Sequence, residues 1–159
     1  MRQPVQQKSF KGLFGSVLAA AVLAVGAQPA VGADVDRFNG MLEPIKAEKP
    51  FTMGVTLVHL QDDFWKGIAY GILDEAKLSG VEVTQVAVAG AYGNVREQFA
   101  QLDAMRTRGV DFAVVGPASF DGYDSVFRQL REAGTNVLAA GIPVNSANVT
   151  FGVGQDEAA

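Results

Sequence analysis

The chain has 159 residues, of which 48% are hydrophobic and 19% are charged, and this balance excludes a wholly disordered protein. It contains no cysteine, which excludes disulfides, thiolate metal sites and a cysteine nucleophile. Beyond residue 33, ten Lys and Arg residues face seventeen Asp and Glu residues, which gives a net charge of −7. Such an acidic chain lacks the clustered cations that bind nucleic acid or anionic membranes.

The first 33 residues have the layout of a secretory signal peptide. A basic segment precedes an apolar run of 15 residues, Leu13 to Ala27, and small residues follow around Ala33. The alternative is a transmembrane anchor, but the run is shorter than the roughly 18 residues that a spanning helix requires. We therefore expect residues 1–33 to be removed on export. Residues 34–50 are polar and predict a lead-in segment before the first strand.

Four short apolar runs rich in β-branched residues predict strands buried on both faces of a parallel sheet. They cover residues 53–60, 81–89, 111–118 and 135–142. A last run from Val149 to Val153 predicts a fifth strand that leaves the sheet. Three amphipathic stretches between the first four runs predict helices. Together these elements predict an α/β fold with three layers, a parallel sheet between two layers of helices.

Capping residues mark the ends of the predicted helices. The predicted starts are at Asp62, Asn94 and Asp121, and the predicted ends are at Gly80, Gly109 and Gly134. In such sheets, ligands bind beyond the carboxyl ends of the strands. The segments that form this edge are residues 59–65, 89–94, 116–123 and 141–148.

The segment after the first strand, HLQDDFW, carries acids and aromatics where a phosphate-binding loop would carry glycines. A nucleotide site is therefore not expected. Phe64 or Trp65 can stack on an apolar ring face while the Asp62 carboxylate accepts hydrogen bonds from hydroxyls, which is how proteins hold polyols. The alternatives are that Asp62 only caps the helix and that Trp65 only fills the core.

The other segments at this edge offer polar candidates as well. Tyr92 lies beside glycines that permit close approach to a cleft, although a surface turn explains it equally. Ser119 and Asp121 follow the third strand, and the capping role of Asp121 is the simpler explanation of that residue. Asn145 follows the fourth strand, with an amide that both donates and accepts.

Catalytic chemistry has little support in this sequence. The single histidine, His59, has no second histidine or cysteine at metal-ligand spacing, and no serine lies in a nucleophile motif. The adjacent carboxylates Asp62 and Asp63 are not placed to flank a glycosidic bond. We therefore predict a binding protein rather than an enzyme, with no metal and no cofactor.

Three segments of the chain resemble the amino-terminal lobe of type I periplasmic binding proteins, the sugar-binding family whose fold LacI-type repressors share. They are MGVTLVHLQDDFW with the helix after it, GNVREQFAQLDAMRTRGVDFAVVGPASFDG, and VTFGVGQDEAA. The resemblance implies that residues 51–159 form one lobe, that the second lobe lies outside this chain, and that the protein is periplasmic. It also implies that Asp62, Phe64 and Trp65 contact the ligand.

Within that family, the H-L-x-D-x-x-W motif, the Tyr-Gly-Asn turn and S-F-D-G are most similar to a branch of TorT-like sensors of trimethylamine N-oxide. That branch implies Tyr92 as a further ligand contact. The chain departs from its pattern at Gln155, where the branch continues into an aromatic residue. The resemblance thus implies a small polar solute, a sugar or an amine oxide, and two kinds of partner: the membrane permease of an ABC importer or a sensor histidine kinase.

Overall fold

The computed structural model describes residues 45–154, all within one compact unit, Gly40–Ala159. The signal peptide predicted over residues 1–33 lies outside the described residues. Among the described residues, no helix is long and apolar enough to cross a membrane.

Strands and helices alternate along the described chain until the last strand. The elements are β1 (Thr52–Leu57), α1 (Asp63–Ser79), β2 (Glu82–Val88), α2 (Val95–Arg108), β3 (Phe112–Val115), α3 (Asp124–Glu132), β4 (Asn136–Gly141) and β5 (Phe151–Gly154). All neighbouring strands pair in parallel, in the order β2-β1-β3-β4-β5. The predicted α/β fold with a parallel sheet is confirmed.

Successive side chains of a strand point to opposite faces of the sheet, so both faces carry apolar residues on which helices pack. Val114 of β3 points into a core shared with Trp65 and Ala69 of α1. Its neighbour Val115 points into a second core shared with Leu102 of α2 and Phe127 of α3. One helix therefore covers one face of the sheet and two helices cover the other.

Helix α1 has the caps that the sequence predicts. The Asp62 side chain accepts a hydrogen bond from the backbone N–H of Trp65, and Gly80 ends the helix with a left-handed φ of 77°. Helix α2 begins after Asn94 as predicted, but the Asn94 side chain makes no cap. Its amide instead donates to the carbonyl of Ala89 and ties the turn after β2 together.

Helix α3 differs from the prediction at its amino-terminal end. Asp121 is not its cap, because the helix begins at Asp124 and the N-cap position is Tyr123. Gly122, with a φ of 98°, separates Asp121 from the helix, and the Asp121 carboxylate accepts from Asn145 instead. At the other end the C-cap is Ala133, one residue before the predicted Gly134.

The fifth strand also differs, because β5 pairs with β4 and stays in the sheet. Thr150 fixes this pairing. Its N–H donates to the Val137 carbonyl at 2.8 Å, and its hydroxyl accepts from the Val137 N–H at 3.0 Å. The prediction that this strand leaves the sheet was wrong. The pairing depends on the Thr150 hydroxyl, and hydrophobic periodicity does not show which hydroxyl will bond to a neighbouring strand.

The strand order places a crevice between β1 and β3. The chain runs from β1 outward to β2 and then crosses back over β1 to reach β3. Helices α1 and α3, which follow these two strands, lie on opposite faces of the sheet, so their first turns diverge. Ligands of open α/β sheets bind at such a switch point, beyond the carboxyl ends of the strands.

Candidate ligand-binding site

The loop after β1 presents one carboxylate in two roles. Asp62 Oδ1 accepts from the Trp65 backbone N–H at 2.9 Å and so caps α1. Asp62 Oδ2 lies 3.6 Å from His59 Nε2, and the Asp62 side chain is 51% exposed. The capping alternative is therefore correct for one oxygen, and the other oxygen has His59 as its neighbour and no hydrogen bond within 3.5 Å from the described residues.

Trp65 lies behind this edge rather than on it. Its side chain is 0% exposed. The indole Nε1 donates to the Tyr92 hydroxyl oxygen at 2.8 Å. A ring without exposed surface has no face to offer a ligand, so the structure favours the alternative in which Trp65 belongs to the core.

Two exposed aromatics stand over the buried indole. Tyr92 is 56% exposed and Phe64 is 41% exposed. Phe64 meets the Trp65 ring edge-on at a centroid distance of 5.2 Å, and His59 meets the Tyr92 ring edge-on at 5.5 Å. Phe64 and Tyr92 are thus linked through the Trp65 ring, and Tyr92 and Asp62 are linked through His59.

The loop after β2 is anchored on both sides. The Gly90 N–H donates to the Val58 carbonyl at 2.7 Å, and the Gly93 N–H donates to the Ala118 carbonyl at 2.8 Å. Both glycines have φ near 90°, a backbone conformation that disfavours other residues. The turn is thus held against the loops after β1 and β3, and it presents Tyr92 between them.

The candidates after β3 and β4 contact one another. Asp121 Oδ1 accepts from the Asn145 side-chain amide at 2.9 Å, and the Asn145 N–H donates to the Phe120 carbonyl at 2.7 Å. Ser119 is partly buried beside them. Asp121 and Asn145 therefore join the third loop to the fourth, and part of their hydrogen-bonding capacity is used within the protein.

A second carboxylate joins the same two loops. Asp124 Oδ1 accepts from the Ser146 hydroxyl and from the Asn148 amide, each at 2.8 Å. The Ser146 bond, followed by that from Asn148, lowers the pKa of the Asp124 carboxyl below its ordinary value. The loop after β4 is thereby fixed to the first turn of α3.

Sequence reasoning missed a buried amide under the third loop. Gln98 of α2 is fully buried, and its Nε2 donates to the Gly116 carbonyl at 2.9 Å. Its Oε1 accepts from the Ala118 N–H at 3.0 Å and from the Tyr123 hydroxyl. Burial of that phenol raises the pKa of Tyr123. A signal existed, because Gln98 lies three residues after Val95 and four before Leu102, on the apolar face of its helix.

Sequence reasoning also missed Phe120, which is 55% exposed on the loop after β3. Its backbone is fixed by the Asn145 bond described above, so the ring stands on an ordered loop at the same edge. Exposed aromatic rings in a binding crevice are the groups that stack on apolar ligand faces.

The described residues offer no metal site, since no three His, Asp or Glu side chains come together among them. A large groove of about 670 Å³ opens between α1 and the sheet, and Phe64 and Gly141 are among its lining residues. Its lining is almost entirely apolar, with Met53, Ile72 and Leu138 among its walls. Such a lining gives a polar solute few hydrogen-bonding partners, so the strand-end cluster is the better candidate.

A sequence profile of the periplasmic binding protein domain matches residues 53–159. The chain therefore belongs to the periplasmic binding protein family, as the resemblance predicts. Family membership supports the prediction of a binding protein rather than an enzyme.

Known proteins similar to this chain fall into the same family. The chain is 60% identical to the substrate-binding protein of a sugar ABC transport system from Bordetella parapertussis 12822, with a TM-score of 0.73; the match covers 76% of this chain and 38% of that one. It is 27% identical to an ABC transporter solute-binding protein from Bradyrhizobium sp. BTAi1 with bound bis-tris, with a TM-score of 0.67 and coverage of 72% and 34%.

The similarity to the TorT branch is also found. The chain is 28% identical over 76 residues to the periplasmic protein TorT of Escherichia coli (strain K12), which is 48% of this chain and 22% of TorT. This chain thus spans well under half the length of each of these relatives.

Proposed function

We propose that the protein is a periplasmic solute-binding protein that captures a sugar or a similar polyol between two lobes and delivers it to an ABC importer. The observation that carries the proposal is the strand-end cluster, in which Trp65 and His59 connect the Asp62 carboxylate with the exposed rings of Phe64 and Tyr92. The carboxylate accepts hydrogen bonds from hydroxyls, and the rings pack on the C–H face of a sugar. The relative from Bordetella, which belongs to a sugar transport system, supports this choice.

The mechanism is closure of two lobes around the solute. The lobe described here supplies contacts from the loops after β1, β2 and β3, and a second lobe supplies the rest. Ligand stabilises the closed form only by the difference in its affinity for the closed and open forms. We further propose that residues 1–33 direct the protein to the periplasm and are removed there.

A second candidate is a TorT-like sensor that binds trimethylamine N-oxide or a related ligand and signals to a membrane histidine kinase. The similarity to TorT over 76 residues favours it. In that case Tyr92 and Phe64 would hold the formally positive, methylated nitrogen of the amine oxide by cation–π attraction.

The test compares two conservative variants of the full-length protein. Asp62→Asn keeps a good helix cap but replaces the carboxylate by an amide. We expect it to weaken sugar binding about tenfold, because hydrogen bonds to an ionised acceptor are the stronger ones. Calorimetric titration with a panel of monosaccharides and with trimethylamine N-oxide measures the affinities.

The matched control is Asp63→Asn. Asp63 is the next residue, its side chain is fully exposed, and within residues 45–154 its one ion pair is with Lys66 of the same helix. The control should bind like the wild type. Binding of trimethylamine N-oxide without any sugar would replace the transport proposal by the sensor, and equal affinity of both variants and the wild type would remove Asp62 from the site.

A further inference from the structure

Trp65 donates one hydrogen bond to each of two predicted ligand residues. Its backbone N–H donates to Asp62 Oδ1 at 2.9 Å, and its indole N–H donates to the Tyr92 hydroxyl oxygen at 2.8 Å. These two residues come from different loops, after β1 and after β2. A single buried residue thus connects the carboxylate and the phenol.

The indole is held in place by two glycines at strand ends. A Cβ on Gly116 would lie 2.4 Å from Trp65 Cζ3, and a Cβ on Gly141 would lie 3.1 Å from Trp65 Cη2. The outer edge of the six-membered ring, at Cζ3 and Cη2, therefore lies against the backbone after β3 and at the end of β4. Because the ring has no free space, the direction of its N–H is fixed.

This fixed donor determines which hydrogen bonds the site offers. An indole nitrogen only donates, so the Tyr92 oxygen is an acceptor in this pair and its own O–H proton is left for another partner. None of the described residues accepts that proton, and the ring is largely exposed. At Asp62, Oδ1 is occupied by the cap and Oδ2 remains an acceptor.

We propose that Trp65 is a positioning residue whose indole makes Tyr92 a hydrogen-bond donor toward the ligand, while Asp62 is an acceptor, so that the site selects solutes with hydroxyl groups over solutes that only accept. The inference rests on the proposed function. Hydroxyl groups satisfy both partners, because each accepts through oxygen and donates through hydrogen. A tertiary amine oxide offers one acceptor oxygen and gives Asp62 Oδ2 no donor besides His59 Nε2, which lies 3.6 Å away. Unpaired polar groups in a closed site are strongly disfavoured.

The first test is a double-mutant cycle in the full-length protein. Trp65→Phe removes the indole N–H and keeps an aromatic ring, whereas Tyr92→Phe removes the phenol oxygen. We expect each variant to weaken the binding of a sugar that the wild type takes from a panel of D-glucose, D-galactose and L-arabinose, by about tenfold. The double variant should bind no more weakly than either single variant, because both remove the same donor.

The second test uses monodeoxy analogues of the same sugar, which a purely structural role of Trp65 would not distinguish. Loss of the one hydroxyl that accepts from Tyr92 should weaken binding to the wild type about tenfold. The same loss should not lower the affinity of Trp65→Phe or Tyr92→Phe any further. Independent losses in the double variant, or equal sensitivity of all three proteins to every deoxy analogue, would overturn the inference.

A third measurement concerns the hydrogen bond itself. Tyr92→Phe changes an exposed side chain, so it tests the bond even where Trp65→Phe fails to fold. We expect it to shift the fluorescence of Trp65, the one tryptophan of the sequence. An unchanged emission would show that the pair is absent. No sugar binding by the wild type would defeat the proposed function itself, whereas sugar binding with independent losses defeats only the role of Trp65.

Discussion

At the scale of single residues, the site depends on a glycine that leaves room for Trp65. Gly116 follows β3 and faces the rings and methyls of the α1-side core. An added Cβ there would lie 2.4 Å from Trp65 Cζ3 and 3.0 Å from Leu57 Cδ2. Both neighbours are fully buried and cannot move into solvent.

Gly116→Ala should therefore destabilise the fold by about 1–3 kcal/mol through overpacking. It should also weaken sugar binding, because a displaced indole no longer holds Tyr92. Urea unfolding measures the first effect, and titration of the folded variant measures the second.

Gly67→Ala is the matched control. Gly67 lies in α1, and a Cβ added to it meets no atom within 4 Å. This variant should gain about 0.5–1 kcal/mol, because alanine is the better helix residue. A loss of stability in Gly67→Ala as large as that in Gly116→Ala would show that the close contact with Trp65 is not the cause.

The sequence predicted the part of the site that depends on neighbours along the chain. Asp62 as the cap of α1 follows from spacing within one turn of helix. The burial of Trp65 does not follow from such spacing, because it depends on glycines at the ends of two other strands. Gln98 was missed for a similar reason, since its four hydrogen-bonding partners lie on β1, in the third loop and at the start of α3.

At the scale of elements, hydrogen bonds to one carboxylate join the starts of β1 and β3. Asp111 lies just before β3, and its Oδ2 accepts from the N–H of Thr52 at 2.8 Å and from the Thr52 hydroxyl at 2.9 Å. The backbone bond first, and the hydroxyl bond after it, lower the pKa of the Asp111 carboxyl below its ordinary value.

This shift predicts a dependence of stability on pH. A carboxyl with a lower pKa in the folded chain stabilises the fold above its unfolded pKa of about 3.9, and the stabilisation is lost as pH falls through the lower native value. Asp111→Asn should reduce the free energy of unfolding by about 1 kcal/mol near neutral pH. The difference from wild type should shrink below about pH 4.

Urea unfolding at neutral and acidic pH measures this difference. Asp74→Asn serves as the control, since Asp74 is an exposed residue of α1 whose side chain has no hydrogen bond or ion pair to the other described residues. It should leave stability unchanged at both pH values. A constant difference between Asp111→Asn and wild type across the acid range would rule out the carboxylate as its source.

The elements themselves were largely predictable, because buried parallel strands and amphipathic helices have different patterns of hydrophobic residues. The start of α3 was not, because Asp121 suits a cap equally well and its true partner, Asn145, lies 24 residues away. The place of β5 in the sheet depended on Thr150 for the same kind of reason. Long-range polar contacts decided the cases in which local pattern allowed two outcomes.

At the scale of the whole molecule, binding and closure should be coupled. We expect small-angle scattering of the full-length protein to show a smaller radius of gyration when a bound sugar is added. Asp62→Asn should need about ten times more sugar to reach the same compact state, because it loses ligand contacts without altering the hinge.

Asp63→Asn should follow the wild-type titration. Saturated binding without any change in scattering would contradict closure, and closure by trimethylamine N-oxide alone would support the sensor. A compact state in Asp62→Asn without ligand would mean that this carboxylate controls the open form instead.

Because Trp65 contacts Gly116 and Gly141, the residues allowed at these three positions depend on one another when the sequence changes in evolution. A relative that keeps tryptophan at position 65 has room only for hydrogen at the other two positions, because a methyl at Gly116 would overlap the ring. A relative with a smaller residue at position 65 gains space there, and it also loses the donor that orients the phenol. Substitutions at these three positions should therefore arise together, and they should accompany a change in the solute that is bound.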